Sequence, residues 1–208
     1  MKEIYLDNSA TTALCREAKD AMARAADEIY GNPSSLHAVG LRAEKAVESA
    51  RSSVMRAIGS RDSSSRVFFC ASGTEADNLA VIGCALAKKR NAGGRIIIGA
   101  SEHPAINESA VHLTSLGFDV VRIPTKGGAV DTGAFMRALN DRTLLVSCMT
   151  VNNETGAIYD VASLFRAAKA FNHDIITHTD AVQAFLKIPF TPEKLFSDMI
   201  TVSSHKIH

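Results

Sequence analysis

The sequence lacks the features that mark membrane-spanning and nucleic-acid-binding proteins. Its 23 basic and 22 acidic side chains nearly cancel, leaving a formal net charge of +1 over 208 residues, so neither nucleic acid nor an anionic membrane is an expected partner. No apolar run approaches the length that crosses a bilayer, and the first residues, MKEIYLDNSATT, contain no apolar signal core. These absences predict a globular protein of the cytoplasm.

Metal-ligand spacing and the common nucleotide-binding glycine motif are absent as well. The four cysteines, at positions 15, 70, 84 and 148, form no C-x-x-C pair, and Cys70 and Cys148 lie within apolar, strand-like runs. A buried, reduced thiol is therefore predicted for each cysteine. The chain has no G-x-x-x-x-G-K stretch, which argues against a P-loop, and no internal repeat or low-complexity tract.

The chain does contain an alternation of short apolar runs and amphipathic stretches. Continuous β-rich runs, typical of strands buried on both faces, occupy 66–71, 95–100, 118–124, 144–151, 174–178 and 198–203. Helical patterns occupy 74–90, 104–116, 131–140 and 160–172, and an earlier one over 47–58 can end at Gly59. This alternation predicts an α/β fold with three layers, α/β/α, around a mostly parallel sheet.

Polar residues directly follow five of these predicted strands. The five loops are SGTEADN at 72–78, SEHPA at 101–105, NNETG at 152–156, TDAVQ at 179–183 and SHK at 204–206. Because ligands of open α/β sheets bind beyond the carboxyl ends of the strands, one pocket could collect all five loops.

Two of these loops have an ordinary structural explanation beside a functional one. Ser72, Gly73 and Thr74 can cap a helix, or they can offer a hydroxyl and backbone N–H groups to a phosphate. His103 can be a turn or cap residue, or its flat ring can stack on an aromatic ligand. The sequence alone leaves both alternatives open.

The remaining amides and histidines are equally ambiguous when taken singly. Asn153 and Gln183 can simply satisfy loop backbone, as such amides usually do. His173, His178 and Asp180 lie close in sequence and could suggest a metal site. If 174–178 is a strand, however, these residues do not share one face with a third ligand, so a metal site is disfavoured.

Lys206 and Asp180 give the sharpest chemical signal. A lysine at the end of a buried strand is costly unless its charge is paired, solvated or removed by reaction, and a desolvated amine condenses with an aldehyde. Pyridoxal 5′-phosphate (PLP) is such an aldehyde, and it also needs a carboxylate beside its pyridine nitrogen and a cradle for its phosphate. Asp180 can be that carboxylate. The cradle can be built from Gly73, Thr74, Ser203 and His205.

Seven motifs in a fixed order give the chain a family resemblance. They are YLDNSATT (5–12), YGNPSSLH (30–37), SGTEADN (72–78), EHPA (102–105), VNNETG (151–156), TDAVQ (179–183) and SSHKIH (203–208). With them the chain resembles the cysteine desulfurase family, within the class V aminotransferases of PLP fold type I. The resemblance spans essentially the whole chain.

The resemblance implies a role for each matching residue. Lys206 would form the imine with PLP, Asp180 would pair with the pyridinium nitrogen, and His103 would stack on the ring. The catalytic residues would be Lys206 and His103. Asn153 and Gln183 would contact the polar edge of the ring. The phosphate would be held by Gly73, Thr74, Ser203 and His205.

Two motifs depart from the family pattern. The phosphate loop usually reads S-G-[GA]-T-E, whereas Ala71 and Ser72 occupy its first two positions here. The lysine motif usually reads S-G-H-K, whereas Ser204 replaces its glycine. If either position requires a positive φ or a close backbone approach, a serine there predicts strain and weaker cofactor binding.

The resemblance also implies a domain organisation. In the family a comparable length of chain follows the lysine and carries the persulfide-forming cysteine, an arginine for the substrate carboxylate and much of a small domain. Residues 1–15 would pack on that small domain, and residues 16–208 would form the PLP-binding large domain. None of the four cysteines present is therefore assigned as the nucleophile.

The implied activity is the conversion of L-cysteine to L-alanine, with the sulfur passed to an enzyme cysteine as a persulfide for iron-sulfur cluster assembly or another sulfur-transfer pathway. A homodimer and a sulfur-acceptor scaffold protein are the implied partners. The alternatives are another class V PLP enzyme, such as a selenocysteine lyase, and a truncated relative that binds PLP or a partner without turnover.

Overall fold

The chain divides into two compact units. The structure is a computed structural model and describes residues 4–88 and 94–208. The sheet unit comprises Phe69–Ser203, and the terminal unit comprises the described residues up to Phe68 together with Ser204–His208. No helix within the described part of the chain is long and apolar enough to span a bilayer.

Two α-helices lie in the described part of the terminal unit, α1 (Arg16–Glu28) and α2 (Ala38–Ile58). The Nδ1 atom of His37 caps α2 by accepting a hydrogen bond from the backbone N–H of Gly40 at 3.2 Å. The helix ends at Gly59, whose φ of 75° lies in the left-handed region that a glycine adopts without strain. The sequence-based helix over 47–58 is thus confirmed, although it begins nine residues earlier.

A five-stranded parallel sheet forms the centre of the sheet unit. The strands of this unit are β1 (Arg95–Gly99), β2 (Asp119–Ile123), β3 (Thr125–Lys126), β4 (Ala129–Val130), β5 (Thr143–Ser147), β6 (Ile176–Asp180) and β7 (Met199–Thr201). Strands β3 and β4 form a separate antiparallel hairpin, and the main sheet has the order β2, β1, β5, β6, β7 with all neighbours parallel. The carboxyl ends of its strands therefore share one edge.

Helices cover both faces of this sheet. They are α3 (Gly73–Asn78), α4 (Cys84–Ala87), α5 (Pro104–Ser115), α6 (Thr132–Ala138), α7 (Val161–Phe171) and α8 (Pro192–Leu195), and a π-helical segment, Leu79–Gly83, joins α3 to α4. Ile97 on β1 belongs to a core that contains Phe135 of α6 and Phe165 of α7. The adjacent Ile96 belongs to a second core, with Ile106 of α5. Since successive strand residues face opposite sides, these two cores establish the predicted three layers.

The predicted elements of this unit are largely confirmed, with shifted ends. Helix 74–90 begins at Gly73 and changes register at Leu79, and its predicted residues 89 and 90 lie outside the described part of the chain. The run 144–151 leaves the sheet after Ser147, and strand β6 lies two residues later than the predicted 174–178. That shift makes Asp180 the last residue of a strand rather than a loop residue.

One predicted strand is wrong. Residues 66–71 form no strand, and the side chains of Phe68 and Phe69 are exposed. An apolar run becomes a strand only where a neighbouring strand supplies hydrogen-bond partners, and sequence periodicity does not identify that neighbour.

The prediction of a buried thiol holds for one cysteine and fails for another. Cys148 is buried, and burial raises the pKa of its thiol well above the ordinary value. Cys70 and Cys84 are half-buried, and Cys15 is exposed, so the prediction is wrong for Cys15. Cys15 precedes α1, and that helix buries none of its residues.

Candidate cofactor site

Most residues predicted for the cofactor site belong to the sheet unit and lie at or after strand ends. Asp180 ends β6, and Gln183 follows it by three residues; both are buried. Gly73 begins α3, and Ser203 follows β7 by two residues. Thr74, His103 and Asn153 belong to the same unit, whereas His205 and Lys206 belong to the terminal unit.

Four polar side chains lie together on one face of the sheet. His178 and Asp180 are two residues apart on β6 and therefore point to the same side. In the strand register Ser147 of β5 lies beside His178, and Thr201 of β7 lies beside Asp180. All four are buried, so this part of the sheet buries polar groups where an apolar core would be expected.

His178 is held by two hydroxyl groups. Its Nδ1 lies 2.9 Å from Ser147 Oγ, and its Nε2 lies 3.0 Å from Thr201 Oγ1. Complete burial lowers the pKa of the ring to about 3, so the imidazole is neutral at physiological pH. Both ring nitrogens are engaged, and the described residues contain no group of three possible metal-ligating side chains.

Asp77 on α3 is a buried carboxyl that is not among the predicted site residues. It is 2% exposed, and its Oδ1 has no hydrogen-bond partner. Oδ1 lies 3.8 Å from His178 Nε2. Burial, and secondly the charge of Asp180, raise the pKa of Asp77 to about 8. Asp77 therefore keeps its proton at neutral pH.

Glu102 is a second buried carboxyl at the same edge of the sheet. Its Oε1 accepts a hydrogen bond from the backbone N–H of Met149 at 2.8 Å, and its Oε2 is buried without a partner. Burial raises its pKa well above the ordinary value. A Cβ at Gly99 would lie 2.6 Å from Oε1, so this carboxyl needs a glycine at the end of β1. Glu102 thus links the carboxyl ends of β1 and β5.

The two predicted phosphate loops of the sheet unit lie side by side. A Cβ added at Gly73 would lie 3.6 Å from Ser203 Cβ and 3.6 Å from Val182 Cγ2. Ser72 caps α3, since its Oγ accepts a hydrogen bond from the backbone N–H of Glu75 at 3.1 Å. The capping interpretation of Ser72 is therefore confirmed.

The two serines that replace family glycines are not strained. Ser72 has a φ of −157°, which is ordinary extended backbone. Among the non-glycine residues that the structure describes, only Leu186, Phe196 and His208 have a positive φ, so Ser204 does not. A positive φ is therefore absent at both serines, and the effect of either serine on cofactor binding stays a prediction.

His103 caps the helix that follows it. Its Nδ1 accepts a hydrogen bond from the backbone N–H of Ala105 at 3.2 Å, which confirms the cap interpretation. An accepting Nδ1 leaves the ring proton on Nε2. The predicted stacking of the ring on a ligand stays a prediction.

Asn153 lines a cavity of about 640 Å³ at the same edge of the sheet. Its neighbour Asn152 organises the loop: Nδ2 donates to the carbonyl of Ser101 at 3.0 Å, and Oδ1 accepts from the backbone N–H of Thr155 at 2.9 Å. The buried amide of Asn152 therefore holds the loop through hydrogen bonds, and the half-buried Asn153 lines the cavity.

In the terminal unit, the segment around Lys206 is fixed by the threonines of the first motif. Lys206 ends a short 3₁₀ helix, Ser204–Lys206. The backbone N–H of Thr12 donates to the carbonyl of His205 at 2.8 Å, and Thr12 Oγ1 accepts from the backbone N–H of His208 at 2.8 Å. Sequence reasoning gave these threonines no role, although their motif was one of the seven.

The chain with this fold belongs to a known class of protein. The sequence model of the family described as Aminotransferase class-V matches residues 4–208, and the chain is a member of that family. The family consists of PLP-dependent enzymes.

Its more specific likeness is to cysteine desulfurases. Cysteine desulfurase IscS of Dictyoglomus turgidum is 38% identical over 208 residues, covering 100% of this chain and 52% of the relative. A cysteine desulfurase of Cereibacter sphaeroides is 40% identical over 210 residues, covering 100% and 53%. The chain thus spans about half the length of these curated relatives.

Solved structures also match this chain over nearly its whole length. A NifS-like protein matches with a TM-score of 0.93 at 35% identity, covering 100% of this chain and 56% of that one. A structure described as SspA in complex with cysteine matches with a TM-score of 0.89 at 29% identity, covering 98% and 57%.

The residues of the sheet unit fit PLP. Asp180, 5% exposed at the end of β6, is a buried carboxyl of the kind that a pyridine nitrogen needs beside it. The adjacent Gly73 and Ser203 offer backbone and hydroxyl groups for a phosphate. The neighbouring acids Asp77 and Glu102 have raised pKa values, which keeps them from competing with Asp180 as anions.

Proposed function

We propose that this chain is the cofactor-binding part of a PLP-dependent cysteine desulfurase, which converts L-cysteine to L-alanine and passes the sulfur to an enzyme cysteine. Family membership and the desulfurase relatives support this activity. The observation that carries the proposal is the buried carboxyl of Asp180 at the end of β6, because a carboxylate in that position keeps a pyridine nitrogen protonated.

Each matching residue of the chain would have a defined task. When bound, PLP supplies an electron-withdrawing ring that stabilises negative charge on the α-carbon of the amino acid. Asp180 would hold the proton on the ring nitrogen. Lys206 would bind the cofactor covalently and, once the substrate amine has replaced it, would move a proton at the substrate α-carbon.

The remaining residues would orient the cofactor. His103, held by its cap hydrogen bond, would stack on the ring, and Asn153 and Gln183 would contact the polar edge of the ring. The phosphate would be bound by Gly73, Thr74, Ser203 and His205. Such fixed hydrogen-bond donors contribute to the rate because they do not need to reorganise during the reaction.

Partners and compartment are part of the proposal and rest on the resemblance. They are a homodimer, a sulfur-acceptor protein of iron-sulfur cluster assembly, and the cytoplasm. An IscS relative supports the sulfur-transfer pathway, and the cysteine complex of a structural neighbour supports the substrate.

Borohydride trapping tests the covalent role of Lys206. The chain is saturated with PLP, reduced with borohydride and mapped by peptide mass analysis. We expect the label on Lys206 and its loss in Lys206→Ala. Asp180→Asn should weaken PLP binding by roughly 30-fold or more, since it removes one member of a buried charge pair.

Lys194→Ala is the matched control. Lys194 is an exposed lysine on α8, so its loss should leave the labelling unchanged. The proposal is wrong if a folded, PLP-saturated sample carries no label on Lys206. Circular dichroism of each variant establishes that the fold is retained.

A further inference from the structure

A side-chain hydrogen bond joins the two helices that begin at the candidate cofactor site. The Oγ atom of Ser109 on α5 lies 2.5 Å from Oδ1 of Asn78, the last residue of α3. The same Oγ lies 2.8 Å from the backbone carbonyl of Ala105, one turn earlier in α5. Ser109 is 2% exposed and Asn78 is half-buried, so this bond is stronger than one surrounded by water.

The hydroxyl of Ser109 reaches beyond its own helix. A hydroxyl inside a helix commonly bonds to the carbonyl four residues earlier, and Thr114 on α5 does so with Ala110 at 2.9 Å. Ser109 makes this bond too, but its Oγ also lies against Asn78, which is 31 residues away in the sequence. Since a serine hydroxyl has a single hydrogen, Ala105 and Asn78 share it. The distance to Asn78 is the shorter of the two, so the contact between the helices is as close as the one within α5.

The starts of these two helices carry candidate ligand residues. Helix α3 begins with Gly73 and Thr74, which are predicted to hold a phosphate. His103, which is predicted to stack on an aromatic ring, directly precedes α5 and caps it. A rigid ligand with both a phosphate and a ring must meet both helix starts at one fixed spacing. Because a site that already has the geometry of its ligand binds more tightly, any group that fixes α3 against α5 affects the affinity.

The hydrogen bond lies where α3 stops being an α-helix. The residue after Asn78, Leu79, begins a π-helical turn that ends at Gly83. Such turns are rare and are frequent at functional sites. A π-helical turn contains an extra residue, so it changes which side chains face a neighbouring helix. The segment therefore meets α5 through a polar pair before the turn and through an apolar core within it, where Val81 is buried together with Ile106 of α5.

We propose that Asn78 and Ser109 are positioning residues, whose hydrogen bond sets the spacing between the phosphate-binding start of α3 and the ring-stacking start of α5. The consequence for PLP rests on the proposed function, because the roles of Gly73, Thr74 and His103 do. With the bond in place, both helix starts bind one ligand molecule at once, and each strengthens the binding of the other. Without it, each helix start still binds its part of the ligand, but the two no longer reinforce one another.

Amide hydrogen exchange in the full 208-residue chain tests the bond without any cofactor. Ala76 and Ile106 report on the first turns of α3 and α5, since their backbone N–H groups donate to the carbonyls of the two cap residues. Ser109→Ala and Asn78→Ala should each accelerate exchange at both amides about fivefold. The double variant should add little more, because either change removes the same bond. Unchanged exchange, or effects that simply add, would overturn the proposal.

Two further variants separate the bond from the general effect of a substitution. Asn78→Asp keeps an acceptor oxygen at the same place, so exchange at Ala76 and Ile106 should stay within about twofold of the wild type. Thr114→Val is the matched control, since it removes a hydroxyl that bonds within α5 at the end of the helix away from His103. Accelerated exchange at both amides in this control would mean that any hydroxyl lost from α5 loosens both helices, which would also overturn the proposal.

Three probes test the consequence for ligand binding: PLP, pyridoxal, which lacks the phosphate, and inorganic phosphate. Ser109→Ala should weaken the binding of PLP about tenfold, and that of pyridoxal and of phosphate less than about twofold each, because only PLP engages both helix starts. Equal weakening for all three probes, or none for PLP, would contradict the positioning role. Absence of PLP binding by the wild-type chain would count against the proposed function, and the exchange measurements would then decide whether the bond fixes the two helices.

Discussion

The two compact units of this chain differ in what they bury. The sheet unit has two apolar cores, one on each face of the sheet, with fully buried side chains such as Phe165 and Ile96. In the terminal unit α1 buries none of its residues, and Leu36 and Ile4 are exposed. Apolar content alone does not produce a core, because burial also requires a second layer at packing distance.

The largest expected effect contrasts apolar truncations in the two units. Phe165→Ala should lower the free energy of unfolding by about 3–5 kcal/mol, because Phe165 is fully buried between α7 and the sheet. Met22→Ala on α1 should change it by less than about 0.5 kcal/mol, because Met22 is exposed. Urea unfolding followed by circular dichroism measures the free energy of unfolding of both variants. Equal losses of stability in the two variants would contradict the expected difference between the units.

The next effect tests the polar edge of the sheet unit. Glu102→Ala should cost about 1–3 kcal/mol, because it leaves the buried backbone N–H of Met149 without its acceptor. Glu102→Gln, which keeps an acceptor oxygen, should cost less. Glu108→Ala is the control, since Glu108 is exposed on α5, and a loss there equal to that of Glu102→Ala would rule out the buried hydrogen bond as the cause.

A third, smaller effect concerns pH. The folded-state pKa of Asp77 is raised from 3.8 to about 8, so its contribution to stability is complete below about pH 4 and is lost as the pH rises toward 8. The stability of the wild type relative to Asp77→Asn should therefore fall by about 1–2 kcal/mol between pH 5 and pH 6, since one pH unit between the two pKa values corresponds to about 1.4 kcal/mol. Urea midpoints at several pH values measure this difference, and a difference that stays constant or rises with pH would show that Asp77 is ionised in the folded chain.

The smallest effect belongs to the terminal unit. Thr12→Val removes a hydroxyl that accepts from the backbone N–H of His208 and donates to the carbonyl of His205 at 3.0 Å. Because these groups are largely solvent-accessible, the loss in stability should be about 0.5–1 kcal/mol. Amide hydrogen exchange at His208 should accelerate in the variant, and unchanged exchange there would show that this contact does not hold the segment.

Local signals in the sequence predicted the regular elements well. The glycine at position 59 and the proline at 104 each mark a helix end that the structure contains. The run 66–71 has the composition of a strand but forms no strand in the structure. Composition does not identify the neighbouring strand whose backbone must supply the hydrogen bonds. Helix α1 was not predicted at all, although its Ala-rich stretch and the i, i+4 pair of Arg16 and Asp20 were signals for it.

The candidate site was only partly predictable. Asp180 could be named because ligand sites of parallel sheets lie at the carboxyl ends of the strands, which is a rule about local position. Gly73 was named from a predicted strand, 66–71, that the structure does not contain. Asp77 and Glu102 could not be recognised as buried acids, because α3 meets β7, and the end of β1 meets the end of β5, only through the fold. In the sequence they resemble ordinary residues of a helix start and a turn.

The sequence by itself therefore determined the type of the elements and the chemistry available at their ends. Hydrophobic periodicity, capping residues and the order of seven motifs act over a few residues and can be read without coordinates. Only the tertiary structure decided which acids are buried together, and hence which of them keeps its proton. That outcome depends on desolvation and on distances between residues far apart in the chain, and neither quantity is encoded locally.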